Sequence, residues 1–207
     1  MLACNTATAR ALDQVRARSA VPVIGVVRPG AVAAAAATRS THVAVIATAG
    51  TVESGAYPDA IVEAAPGTRV AQLACPELVP MVEAGVLSGR RAESVLRAYL
   101  EPLLASEPQI DTLLLGCTHY PLLRPVIESI VGGGVAVVDS AFTTALAVED
   151  LLDALGTGSD SAGEVGHRVA TTGDVGAFVS VAARLFGDRL PEVEAVTIEP
   201  AGAIPLD

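Results

Sequence analysis

Leu113-Leu114-Leu115-Gly116-Cys117-Thr118-His119 decides the reading of this chain. An apolar run of strand length ends on a glycine, and a thiol, a hydroxyl and an imidazole follow at once. A thiol at the C-terminal end of a buried strand, leading into a helix, sits where open α/β sheets bind ligands. It also lies near a helix N-terminus, whose dipole favours the thiolate. A second string, Leu2-Ala3-Cys4-Asn5-Thr6, again sets a cysteine directly after a small residue and before polar side chains. Two such thiols on related strand ends can flank one small substrate from opposite sides. For either cysteine alone, packing after an apolar strand is the plainer account. The matched contexts argue for chemistry.

Outward from these strings, β-branched apolar runs alternate with longer Ala/Leu/Arg segments. The runs predict strands at Val23–Val27, Val43–Ile46, Arg69–Leu73, Thr112–Leu115, Val135–Val138, Val169–Thr171 and Val193–Ile198. Helices are predicted at Ala7–Arg18, Ala31–Thr38, Arg91–Ala105, Leu122–Ile130, Thr144–Leu155 and Ala177–Phe186. Strand–helix alternation with near-continuous apolar strands implies a parallel sheet covered on both faces. Gly156–Gly166, rich in Gly and Ser, reads as a loop. Only Met1-Leu2-Ala3 precede Cys4, whereas a strand usually takes about five or six residues. The expectation is a chain shortened at its N-terminus.

Composition narrows the function classes. The 207 residues carry a formal net charge of −10, which argues against nucleic acid and anionic membranes, since both attract a basic face. No apolar stretch approaches the ~18 residues of a membrane span without a helix breaker. The first residues lack the charged-then-apolar order of a signal peptide. Three cysteines, an odd count, fit reduced cytoplasmic thiols better than a disulfide framework. All 13 basic residues are Arg and none is Lys.

Several further strings stand in order between and beyond the two cysteine strings. They are Pro22-Val23-Ile24-Gly25-Val26, Pro29-Gly30, Thr48-Ala49-Gly50-Thr51, Ser54-Gly55-Ala56-Tyr57, Cys75-Pro76, Val79-Pro80-Met81-Val82-Glu83, Val138-Asp139-Ser140 and Thr171-Thr172-Gly173-Asp174. With Cys117-Thr118-His119-Tyr120-Pro121-Leu122 they resemble the cofactor-independent aspartate/glutamate racemase family over essentially the whole chain. The His after Cys117-Thr118 is similar to the glutamate branch. The family's opening Asp-Ser-Gly-Val-Gly-Gly string has no counterpart here. Arg28 stands where the family often has Glu, and Ala47 where Gly is common.

The resemblance implies two Rossmann-like three-layer α/β domains with mainly parallel sheets, the first incomplete at its N-terminus. Residues 1–26 and 135–207 would be the remnant of the first domain and 27–134 the second. It implies a racemase interconverting L- and D-glutamate in the cytoplasm, supplying D-glutamate for peptidoglycan, cell-wall biogenesis and cell shape. The partner is the small-molecule substrate, with a homodimer as the family's common assembly. Two other readings stay open at this point: an inactive fragment or binding protein of the same fold, and a racemase for another amino acid such as aspartate.

Inverting an amino acid at Cα means removing a weakly acidic proton from one face and returning one to the other. Pyridoxal phosphate assists such steps through a Lys Schiff base, and this sequence has no Lys. The remaining route uses two bases, one per face, and no cofactor. Cys4 and Cys117 are the candidates. His119, two residues after Cys117, is placed to assist its ionisation. Glu83 resembles the family's acid beside that His. Asn5, Thr6, Thr48 and Thr118 are small donors suited to the substrate's carboxylates without Arg, and equally suited to helix capping. Thr51 and Ser140 read as turn or cap residues, and Cys75 as structural. A zinc site from Cys4, Cys75, Cys117 and His119 lacks the paired Cys-x-x-Cys spacing. His42 and His167 receive no role.

Overall fold

The computed structural model describes residues 1–157, 166–187 and 190–198. Two compact units divide the chain, Met1–Gly158 and Ser159–Asp207. The first unit runs α1 (Asn5–Arg18), α2 (Val27–Ala37), β1 (His42–Ala47), α3 (Ala49–Glu53), α4 (Ala56–Ala64), β2 (Arg69–Ala74), α5 (Leu78–Glu83), α6 (Gly89–Ser106) and β3 (Thr112–Gly116). A 3-10 turn (Tyr120–Leu123), α7 (Arg124–Val131), β4 (Ala136–Asp139) and α8 (Ala141–Ala154) complete it. The second unit holds β5 (Val169–Thr171), α9 (Val175–Phe186) and β6 (Val193–Ala195), with β5 and β6 paired in parallel.

The sheet of the first unit is wholly parallel, in the order β2-β1-β3-β4. Side chains alternate across it with period two. Val43, Val45, Ala47 and Leu114 face α2 and α4, where Val27, Ala31, Ala34, Tyr57 and Ile61 close one core. Ala44, Ile46, Leu113 and Leu115 face the opposite layer, built from Leu78, Met81, Leu96, Leu100 and Ile127 of α5, α6 and α7. Both faces of the central strands are therefore dry, which is why β1 and β3 read as unbroken apolar runs. Each fully buried Leu of β3 contributes roughly 1.5–3 kcal/mol. The fold is α/β with a parallel sheet, as the alternation predicts.

Three differences from the predicted elements have local causes. Val23–Val27 forms no strand: its one ladder contact is the single parallel bridge Leu2↔Gly25, with Leu2 N–H donating to Ile24 O at 2.8 Å. β-Branched residues without a ladder do not hold a strand, and the Ala-rich run takes the helix from Val27. Gly25 is needed there, since a Cβ would lie 2.4 Å from Thr8 Cγ2. Helices α3, α4 and α5 span only 5, 9 and 6 residues, too short to signal themselves by periodicity. Buried Tyr57, Ile61, Leu78 and Val82 hold α4 and α5 in place. β6 stops at Ala195, short of Ile198. Of the predicted loop Gly156–Gly166, residues 158–165 lie outside the described residues. β4 lies beyond the 134/135 domain boundary expected from the sequence and pairs with β3. Among the described residues no helix is long and apolar enough to cross a membrane.

The order of the strands gives the sheet one switch point. The chain leaves β1 for β2 on one side, and leaves β3 for β4 on the other. Ligands bind at such switch points, outside the carboxyl ends of the strands. Pairing of Ala47 with both Ala74 and Gly116 sets Thr48, Cys75 and Cys117 in one row along that edge.

At the opposite edge Asp111 fastens the turn that feeds β1. Its carboxylate accepts from Thr38 Oγ1 (2.6 Å), Arg39 N–H (2.7 Å), Ser40 N–H (2.6 Å) and Thr112 Oγ1 (3.0 Å). The turn needs fastening: Thr41 is held at φ 61°, left-handed for a β-branched residue. Partial burial disfavours the Asp111 charge, but the four donors outweigh it and hold the carboxyl well below the usual range. Asp111→Ala should cost about 2–3 kcal/mol at neutral pH and lower Tm by about 5–10 °C. A group with a depressed native pKa stabilises above its unfolded value and loses that contribution as pH falls. The Tm gap between wild type and variant should accordingly narrow in acid, which thermal melts at pH 7 and below pH ~4 would check.

Candidate active site

Cys117 sits directly after β3, on the same face as Leu113 and Leu115, and is 6% exposed. Cys4 is the N-cap residue of α1 and is exposed. Two side chains lay the first turn of α1 over the carboxyl ends of the sheet. Asn5 Nδ2 donates to Tyr57 OH at 2.6 Å. Thr6 Oγ1 meets Thr48 Oγ1 at 2.7 Å and Thr51 Oγ1 at 3.0 Å, and the latter two are themselves 3.0 Å apart. Arg10 secures the next turn, donating to Gly50 O and pairing with Glu53. Gly50 permits the approach, since a Cβ would come 3.2 Å from Thr6 Cγ2.

The two thiols consequently share one electrostatic neighbourhood. Burial pushes the Cys117 thiol above its ordinary value; N–H groups of His119 and Tyr120 oppose that by donating toward the sulfur, and the Cys4 thiolate adds to it. Behind Cys117 runs a line of polar groups. His119 Nδ1 lies 3.8 Å from Cys117 Sγ, and His119 Nε2 lies 3.3 Å from Glu83 Oε1. Glu83 ends α5, so the helix that closes one core layer also carries the carboxylate behind the imidazole.

The residues singled out in the sequence come together with few exceptions. Cys4, Asn5, Thr6, Thr48, Cys117, His119 and Glu83 belong to this edge, and exposed Thr118 lies between Cys117 and His119. Thr51, read as a cap, is fully buried within the hydroxyl trio, while Thr48 Oγ1 still caps its N–H at 3.4 Å. Ser140 precedes α8 within hydrogen-bonding reach of Tyr57. Cys75 is structural, as expected: it is fully buried, and desolvation raises its thiol to about 12. His42 opens β1 at the far edge, its Nδ1 2.8 Å from Ser40 O. His167 is exposed in the second unit. Among the described residues no three His, Cys, Asp or Glu side chains gather as a metal site.

One residue of the site was not singled out. Tyr57 is fully buried, and burial drives its phenol far above the ordinary value against hydrogen bonds from Asn5 and Ser140. The string Ser54-Gly55-Ala56-Tyr57 carries it in the sequence, but nothing local distinguishes the phenol from an ordinary core aromatic.

Among the described residues, the arginines nearest this edge are engaged elsewhere. Arg10 is engaged by Gly50 and Glu53, and Arg124 by Val137 O, Glu128 and Asp139. What the edge presents is a set of neutral hydroxyls with the two thiols beside them.

The Asp/Glu/hydantoin racemase family model matches residues 1–149. A glutamate racemase of Listeria monocytogenes is 45% identical over 182 residues, 88% of this chain and 68% of that protein. The crystal structure of a glutamate racemase from Bacillus anthracis superposes with a TM-score of 0.87 at 36% identity, over 94% of this chain and 72% of the other. That of a Francisella tularensis glutamate racemase in complex with D-glutamate gives 0.84 at 30% identity, over 94% and 71%. The matched residues include both thiol-bearing strings, and the chain belongs to the Asp/Glu/hydantoin racemase family.

Proposed function

We propose that this chain interconverts L- and D-glutamate with Cys4 and Cys117 as two opposed bases. The observation that supports this reading is the stapling of the first turn of α1, which Cys4 precedes, onto Tyr57, Thr48 and Thr51 beside the strand end that Cys117 follows. The relative crystallised with D-glutamate supports the substrate. The product serves peptidoglycan synthesis, and through it the cell wall and cell shape. The enzyme works in the cytoplasm, as a homodimer in the manner common to the family.

The proton inventory closes without an added reagent. One thiolate takes the Cα proton and becomes a thiol. The opposite thiol delivers its own proton to the other face and becomes a thiolate. The reverse reaction exchanges the two roles. Cys117 needs help to ionise, because burial disfavours its charge. His119 takes up that proton through Nδ1, and Glu83 stabilises the resulting imidazolium through Nε2. As the proton leaves Cα, charge moves onto the α-carboxylate. Hydroxyls of Thr6, Thr48 and Thr118 supply donors that meet it, and Asn5, whose amide is tied to Tyr57, supplies its backbone N–H at the helix start.

Replacing either thiol should abolish racemisation by at least about 100-fold. Optical rotation followed from L- and from D-glutamate checks this. Near-normal rates for both Cys4→Ser and Cys117→Ser would overturn the assignment. Glu83→Gln should cost about tenfold, more in the direction that begins at Cys117. In that direction kcat/KM reports the free enzyme's base. Because the Cys117 thiol is held above its ordinary value, kcat/KM should still be climbing at pH about 8.5. A plateau at neutral pH would contradict the account.

A further inference from the structure

Asn5 and Gly116 are the residues that adjoin the two thiols, one just after Cys4 and the other just before Cys117. Tyr57 touches both. Its hydroxyl accepts the hydrogen bond from Asn5 Nδ2 at 2.6 Å. Its ring lies so near Gly116 that a Cβ there would stand 2.9 Å from Tyr57 Cε2. On its other side Gly30 makes room, since a Cβ would come 3.3 Å from the phenol oxygen and 3.0 Å from Ser140 Cβ. The ring is thus clamped between two glycines while its oxygen holds a side chain from a different element.

Asn5 has no other tether among the described residues. It is 2% exposed, and its Oδ1 finds no hydrogen-bond partner. The Asn5–Tyr57 bond is therefore the one polar link that fixes this side chain. The helix start that carries Cys4 is tied at this point to a ring resting on the strand end that carries Cys117. Gly55, at φ 68°, makes the left-handed turn by which α4 begins directly after α3 and delivers Tyr57 to this place.

We infer that Tyr57 is a positioning residue, a spacer that sets the separation of the Cys4-bearing helix start from the Cys117-bearing strand end. The inference rests on the two-thiol reading for its kinetic consequence, but not for its structural one. Tyr57 exchanges no proton with substrate. It acts through Asn5 and Gly116.

Tyr57→Phe keeps the ring and removes the tether, and the three cysteines report the result separately. In wild type, iodoacetamide followed by mass spectrometry should modify exposed Cys4 readily, Cys117 slowly and Cys75 only on unfolding. In Tyr57→Phe, Cys117 should react at least about fivefold faster as the Asn5 side of the helix start loosens, with the Thr6 and Arg10 contacts kept and Cys75 still protected. Racemisation kcat should fall about 10- to 100-fold in both directions, with KM within about threefold. In an Asn5→Ala background the same substitution should add less than about twofold to the loss, because the tether is already gone. An unchanged Cys117 rate with unchanged kcat overturns the inference. So does Cys75 opening in step with Cys117, since that would make Tyr57 an ordinary core residue. Should Cys4→Ser and Cys117→Ser leave racemisation intact, the two-thiol reading fails, and the alkylation pattern still decides whether Tyr57 sets the spacing.

Discussion

The hydrogen bonds that hold the start of α1 on the carboxyl edge of the sheet are the constraint on which the rest depends. Cys117 is set by β3, a strand buried on both faces, and has little freedom. Cys4 is set by nothing comparable. It is an exposed N-cap residue preceded by a single-bridge contact. Asn5 and Thr6 anchor it, and they do so on Tyr57, Thr48 and Thr51. All three belong to the stretch between β1 and β2, so the crossover that completes the sheet also builds the seat for the first thiol.

The same economy of parts recurs beside Cys117. α5 closes a core layer with Leu78, Met81 and Val82 and ends on Glu83, which faces His119. Cys75 and Tyr120 tie that layer to the sheet edge, the Tyr120 hydroxyl donating to Cys75 O at 3.0 Å. The residues around Cys117 are thus packed for rigidity, while the polar line behind its sulfur runs outward to partly exposed groups. A buried thiol with an exposed proton relay can change charge without opening the core.

Much of this was legible in the sequence, for identifiable reasons. β1 and β3 announce themselves because strands dry on both faces must be continuously apolar. Cys117 and His119 are legible because they follow such a strand at once. Cys4 is legible only by its matching string. The hydroxyl trio of Thr51 and the Asn5 contact of Tyr57 are not legible in the sequence. Their roles come from contacts with α1 some fifty residues earlier, and no local pattern encodes a partner that distant. The segment Val23–Val27 misled for the converse reason: its composition favours a strand, but a strand exists only through its neighbours. Short helices α3 and α5 escaped notice because tertiary packing, and not propensity, holds them.

The central claim is that two thiols approach one stereocentre from opposite faces. Its most direct measurement is the fate of the Cα hydrogen during conversion of L-glutamate in D2O. The account predicts that the first D-glutamate formed carries one deuterium at Cα, while the recovered L-glutamate still carries protium, because the base that delivers is not the base that took. Protium carried over into D-glutamate, or deuterium appearing at equal early rates in both enantiomers, would mean a single base acting on both faces and would contradict it.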